Sequence, residues 1–254
     1  MKHWVLEVGN TRAKWACFEA DTGPSAAPLL VRSAMATDSP AVAAWFQEVA
    51  TQDKVMVTGS GDLDAWASAL DSAFVLRPGD PTPLNSLVTQ RQTLGLDRVA
   101  NAWAVLHGGL MDAPHHETWM IVDVGTCVTM DVVHRDQHLG GIISPGVQMR
   151  LQAMAQGTAR LPQPDLPEQL SHPLSASASL GTHTQGALLR GALGGISAEI
   201  EGTWASLSQE FPNLGVALTG GDVPRLELRD ILPKFADAHL TLKGFHALFK
   251  HLHA

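Results

Sequence analysis

The chain is short of cysteine, of charge and of long apolar runs, and each shortage removes a class of protein. Its two cysteines, Cys17 and Cys127, stand outside any CxxC pair, so neither a zinc site nor a disulfide framework is encoded. A reducing compartment suits them. Charged residues are 17% of the chain and apolar residues 45%, the reverse of a disordered sequence. Lys and Arg number 17 against 25 acids, a net charge of -8. No nucleic-acid partner is expected, because binding a phosphate backbone needs cations. No apolar run approaches the about 18 residues of a membrane span, and the start Met-Lys-His-Trp lacks the apolar core of a signal peptide. The expectation is a soluble, cytoplasmic protein with no membrane partner. The GxxxxGK phosphate loop is missing too, as is a GxGxxG fingerprint in the right context. Any nucleotide must be held by other means, and backbone amides with a metal ion can do so without basic side chains.

What is present begins with a repeated device. Trp4 to Val8 reads as a buried strand, Gly9-Asn10-Thr11 as a turn, and Lys14 to Phe18 as a second strand. More than a hundred residues later Trp119 to Val124, Gly125-Thr126 and Cys127 to Val133 repeat the pattern. A length of 254 residues admits two ordinary domains, and the echo places them at 1–113 and 114–254, related and facing each other. Helical spacing marks 41–49, 63–70, a segment after Gly95, one from Val147, one from Thr184 to Trp204 and one from Gly244 to His253. Gly191, Gly194 and Gly195 are expected to admit another backbone close to their helix. Strands at 55–58 and 216–218 end at Gly59-Ser60-Gly61 and Thr219-Gly220-Gly221-Asp222, and Pro-rich loops span 78–83 and 161–173.

Phosphoryl transfer from a nucleotide needs donors for the phosphates, an acid for the metal ion and a base beside the acceptor hydroxyl. Gly9 and Gly125 permit tight turns with no side chain in the way. The amides beyond them, with Asn10, Thr11 and Thr126, can donate to phosphates. Glu7 and Asp123 end their strands as oxygen ligands for a hard cation. Each hairpin also reads as a plain tight turn with a solvated acid, but two of them after buried strands favour the binding reading. Asp97 near a helix start is both an ordinary dipole-stabilised cap and a candidate base, with Arg98 as an anion clamp. Gly220 and Gly221 give a flat surface against which a ring can lie.

In order, Glu7-Val8-Gly9-Asn10-Thr11, Gly95-Leu96-Asp97-Arg98, Asp123-Val124-Gly125-Thr126, Gly141-Ile142-Ile143-Ser144-Pro145-Gly146, Gly181-Thr182-His183-Thr184 and Thr219-Gly220-Gly221-Asp222 resemble the type III pantothenate kinases, which include proteins described as Bvg accessory factors. The resemblance implies an α/β fold of two ribonuclease-H-like (actin-like ATPase) domains with mixed sheets flanked by helices, and a homodimer. It implies phosphorylation of pantothenate by ATP, the first step of coenzyme A synthesis, with Mg2+ and a monovalent cation, K+ or NH4+. It implies that Glu7, Gly9, Asn10, Thr11, Lys14, Gly125, Thr126, Gly220 and Gly221 serve ATP. Gly95, Leu96, Asp97 and Arg98 would line the pantothenate site, with Asp97 as proton acceptor. Thr184 would reach the pantothenate across the dimer interface, and Asp123 would hold the monovalent cation.

Two positions depart from the family pattern. The first hairpin usually opens with Asp, and here it is Glu7. A Tyr usually precedes the Gly of the Gly-x-Asp-Arg motif by seven residues, with a Pro three further on. Here those positions, the first a candidate substrate contact, are Val88 and Arg91, and the chain has no tyrosine at all. Another actin-like kinase and a nucleotide-binding regulator without catalysis therefore stand as alternatives. His115, His116, His246, His251 and His253 are expected on the surface. Trp15, Trp45, Trp103, Trp119 and Trp204 are expected in packing.

Overall fold

The computed structural model describes residues 1–70, 73–110, 113, 116–166 and 180–253. His115, the 113/114 boundary and residues 167–173 of the second Pro-rich loop lie wholly or partly outside them. The first sheet is built from β1 (Lys2–Val8), β2 (Arg12–Glu19), β3 (Leu30–Met35), β4 (Lys54–Gly59) and β5 (Phe74–Leu76), in the order β3-β2-β1-β4-β5. The β1–β2 and β2–β3 pairs are antiparallel, and β1–β4 and β4–β5 are parallel.

Alternation decides what each face meets. Trp4, Leu6 and Val8 join Trp15, Cys17, Val55 and Val57 in a core covered by α1 (Ser39–Trp45) and α2 (Leu63–Ala67), through Val42, Trp45, Leu63 and Trp66. Asp38 and Asp62 start these two helices by accepting from Ala41 N and Ala65 N. The opposite face carries His3, Val5 and Glu7. Over it lie α3 (Leu96–Leu106) and, from the other end of the chain, α6 (Leu240–Leu252). Gly244 makes this possible, because a Cβ there would sit 2.0 Å from Ala100 O of α3.

The second sheet comprises β6 (Thr118–Val124), β7 (Cys127–His134), β8 (Gln137–Pro145), β9 (Gly215–Thr219) and β10 (Lys234–Ala236). Its order, β8-β7-β6-β9-β10, repeats the first strand for strand. Met120, Val122, Val124, Val216 and Leu218 bury one face against α4 (Val147–Gln156) and α5 (Thr184–Glu210), through Val147, Leu151, Leu188 and Ile196. The chain divides into two compact units. One holds Met1–Pro114, Val133–Gly140 and His239–Ala254; the other holds His115–Val132 and Gly141–Ala238. Among the described residues no helix is long and apolar enough to cross a membrane.

The structure corrects two expectations. His246 is buried at 2% exposure, because its ring stacks on Phe18 at 4.2 Å and its Nε2 meets His3 Nδ1 at 3.2 Å. Gly191 and Gly194 face open space and Gly195 lies against the Arg150 side chain, so no described backbone approaches α5 there. The Gly140-Gly141 segment, to which the sequence pattern assigned no element, lies in a strand, β8, although paired glycines weaken strands. Trp15, Trp45, Trp103 and Trp119 are buried, and Trp204 packs half-buried against the second core.

Candidate functional site

The two hairpins share one construction. In the first, Gly9 N donates to Arg12 O at 2.9 Å across a turn that leaves Asn10 and Thr11 exposed. In the second, Gly125 N donates to Cys127 O at 2.9 Å. Each is abutted by a glycine turn from the parallel neighbour strand. Gly59, at φ 124°, lies so close to β1 that a Cβ would fall 2.2 Å from Val8 O, and Ser60 N and Gly61 N both donate to that oxygen. Gly220, at φ 102°, leaves 2.4 Å between such a Cβ and Val124 O, and Asp222 N donates to Val124 O at 3.1 Å. Only glycine fits either position.

The carboxylates stand at the strand ends. Glu7 is in cross-strand register with Lys14, and its Oε2 lies 3.2 Å from Lys14 Nζ. That is an ion-pair distance, yet no hydrogen bond is directed at this buried oxygen. Lateral to Glu7 on β4 is Thr58, and lateral to Asp123 on β9 is Thr219. Asp123 Oδ1 occupies room that Gly220 leaves, since a Cβ there would approach it to 2.6 Å. These oxygen donors suit a hard divalent cation. Among the described residues no group of three or more His, Cys, Asp or Glu converges into a metal cage. Mg2+ ordinarily needs no such cage, since it is held through one or two carboxylates together with phosphates and water.

The start of α4 completes the second hairpin. Gly146 N donates to Thr126 O at 3.1 Å, and a Cβ on Gly146 would meet Gly125 O at 2.2 Å. No side chain caps the helix, and its start lies beside Gly125 and Thr126; a helix N-terminus favours anions. Gly221 has nothing within 4 Å of a would-be Cβ, which leaves a ligand free approach to the backbone. Next to it, burial pushes the Asp222 carboxyl up against the pull of Arg225, 2.6 Å away.

On the first unit, Asp97 occupies the first turn of α3. Its Oδ1 accepts from Arg98 N at 2.9 Å and packs over Gly95, where a Cβ would come within 2.5 Å. Gly95, not Asp97, is the N-cap, and no side chain caps it. Asp97 is half-buried, and Asn101, one turn on, is buried. The loop leading to the helix is held by its own hydrogen bonds and by β8. Arg91 Nη2 donates to Ser86 O at 2.7 Å, Val88 N donates to Ser86 Oγ at 3.2 Å, and Ser86 Oγ meets His138 Nδ1 at 2.8 Å. A cavity of about 210 Å³ lies here, lined by Asp80, Ser86, Arg91, Leu96 and Val99 among others. Thr184 opens α5 and is exposed, just after His183, whose Nδ1 accepts from Gly186 N.

Sequence reasoning named Thr58, Gly59 and Thr219 only as strand-end and turn residues and did not place them beside the two acids. The available signal was a buried apolar strand closing on Thr-Gly, which occurs twice, at Val55 to Gly59 and Val216 to Gly220.

Residues 4–206 match the family described as type III pantothenate kinase. An enzyme of that description from Flavobacterium psychrophilum is 30% identical over 97% of this chain and 98% of its own length. One from Bacteroides fragilis is 36% identical over 67% of this chain and 66% of its own. Among solved structures, a protein described as a Baf family transcriptional activator from Campylobacter jejuni aligns with a TM-score of 0.60 at 16% identity, covering 98% of both chains. The activator of 2-hydroxyisocaproyl-CoA dehydratase from Clostridium difficile, solved with bound ADPNP, aligns at 0.53 and 15% identity over 99% of this chain and 94% of that one. These likenesses show the fold, that of the actin-like ATPases.

Proposed function

We propose a reaction from one premise: the chain belongs to the type III pantothenate kinase family. It transfers the terminal phosphoryl group of ATP to the primary hydroxyl of pantothenate, which begins coenzyme A synthesis. The observation that carries this reading is the duplicated strand-end acid, Glu7 and Asp123, each followed by a glycine hairpin and abutted by a positive-φ glycine. No basic phosphate loop is needed where backbone amides point at the ligand.

Gly9, Asn10, Thr11 and Lys14, with Gly125, Thr126 and the start of α4, bind the phosphates. Gly220 and Gly221 take the adenosine side. Gly95, Leu96, Asp97 and Arg98 orient pantothenate. Asp97 Oδ1 is engaged by the Arg98 amide, which leaves Oδ2 to receive the hydroxyl proton as the oxygen attacks phosphorus in line. Glu7 and Asp123 would hold the cations, Mg2+ with ATP and K+ or NH4+ at Asp123. When bound, they spread the charge of the phosphoryl oxygens. Thr184 reaches pantothenate from the partner of a cytoplasmic homodimer.

ADP release from Mg2+ and ATP, with and without pantothenate and with K+ or Na+ as the only monovalent cation, tests the reading. Release stimulated by pantothenate and dependent on K+ is expected. No stimulation under any cation would overturn the acceptor, and screening other hydroxyl compounds would then identify what Val88 and Arg91 admit in place of the usual Tyr and Pro.

A further inference from the structure

Parallel register places Thr58 of β4 beside Glu7 of β1 and Thr219 of β9 beside Asp123 of β6. Residues at one register level project to one face of a sheet. Each acid thus has a threonine beside it, and each threonine is followed by a glycine of positive φ. Thr58 is 0% exposed, and its Oγ1 has no hydrogen-bond partner. Glu7 Oε2, buried as well, has the Lys14 ammonium 3.2 Å away as an ion pair but receives no directed hydrogen bond. A buried hydroxyl without a partner is costly and calls for an explanation. Valine has nearly the same shape and would remove the cost, so packing alone does not account for Thr58. The two oxygens that lack a hydrogen bond share one face at the carboxyl ends of parallel strands, where open α/β sheets take their ligands.

We propose that Thr58 is a positioning residue for the divalent cation that accompanies ATP. Its hydroxyl and Glu7 Oε2 together hold one water of that cation's hydration shell. Mg2+ keeps several waters and is bound through one or two carboxylates, and groups behind the ligands set its affinity. Thr219 is the counterpart of Thr58 beside Asp123. The assignment rests on the kinase reading above.

The test titrates Mn2+ into protein saturated with a nonhydrolysable ATP analogue and follows free Mn2+ by its paramagnetic resonance signal. Thr58→Val is expected to weaken Mn2+ binding about tenfold or more without lowering Tm, and Thr58→Ser to restore most of it. In a double-mutant cycle with Glu7→Gln, the combined loss should fall well short of the product of the single losses, because both groups act on one water. Wild-type Mn2+ affinity in Thr58→Val would overturn the assignment, as would multiplicative losses in the cycle. Failure of the wild-type chain to bind the nucleotide analogue would overturn the kinase reading and this assignment with it.

Discussion

The two sheets are the same five-strand arrangement used twice, and they differ at the proposed site. The first hairpin spans three residues, 9–11, between Val8 and Arg12, and the second spans two, 125 and 126, between Val124 and Cys127. The first acid is Glu7, set against Lys14 in register; the second is Asp123, lodged in the space Gly220 leaves. The helix layers differ as well. On the Glu7 face of the first sheet lie α3, with Asp97, and the histidine-bearing α6, whereas α4 and α5 pack an apolar core on the second. A duplicated scaffold fixes the turn geometry in both halves and leaves the side chains free to diverge into separate roles.

The largest test separates those roles. Asp97→Asn should lower kcat about 100-fold or more while ATP binding, measured by calorimetry, stays intact. Retained turnover would remove Asp97 as base and make the halves functionally alike. Next, Gly59→Ala and Gly220→Ala should each cost about 2–4 kcal/mol in denaturant unfolding, because each combines positive φ with a backbone clash. Gly221→Ala, in open space, should stay within about 0.5 kcal/mol. Equal effects at 220 and 221 would break the argument that only the first glycine is sterically required.

Acid should distinguish the two cores. Burial, with His3 and Lys250 adding to it, holds the His246 imidazole down at about 3. Burial also lowers His3, helped by Lys54, Lys250 and His253 and opposed by Asp21. Both rings fold in their neutral form. Their stabilising contribution is complete above the ordinary histidine value near 6.5 and is lost as pH falls from there toward the folded value. Tm should therefore drop between pH 6.5 and 4, and His246→Phe should flatten that slope. An unchanged slope would exclude these histidines as the cause. The smallest effect belongs to Lys14→Met. The Lys14 side chain is 40% exposed, so stability should change by only about 0–1 kcal/mol, and any larger loss should appear in nucleotide affinity.

Much of this was legible along the chain, for local reasons. Trp4-Val5-Leu6 and Trp119-Met120-Ile121 are apolar runs that close on an acid and a glycine, and α3 shows its period in Val99, Ala102, Trp103 and Leu106. The missed strands carry weaker signals. β5 and β10 are three residues long, β3 has no buried residue, and β8 contains Gly140-Gly141. Each is defined by its neighbour in the sheet and not by its own pattern. Thr58 was invisible for a deeper reason. Its place beside Glu7 is a matter of register between strands about fifty residues apart, and no local spacing encodes that.

The glycine at 244 also governs when the first unit can be finished. Its contact with Ala100 brings the last helix onto the second face of the first sheet. During synthesis the first sheet emerges early, with α1 and α2 beside it, yet Val5, Met56 and the inner side of α3 keep an unfinished apolar surface until Leu240–Leu252 has been made. The ribosome must deliver the intervening hundred or so residues of the second unit before the first one closes, so the unit that starts earlier is closed later.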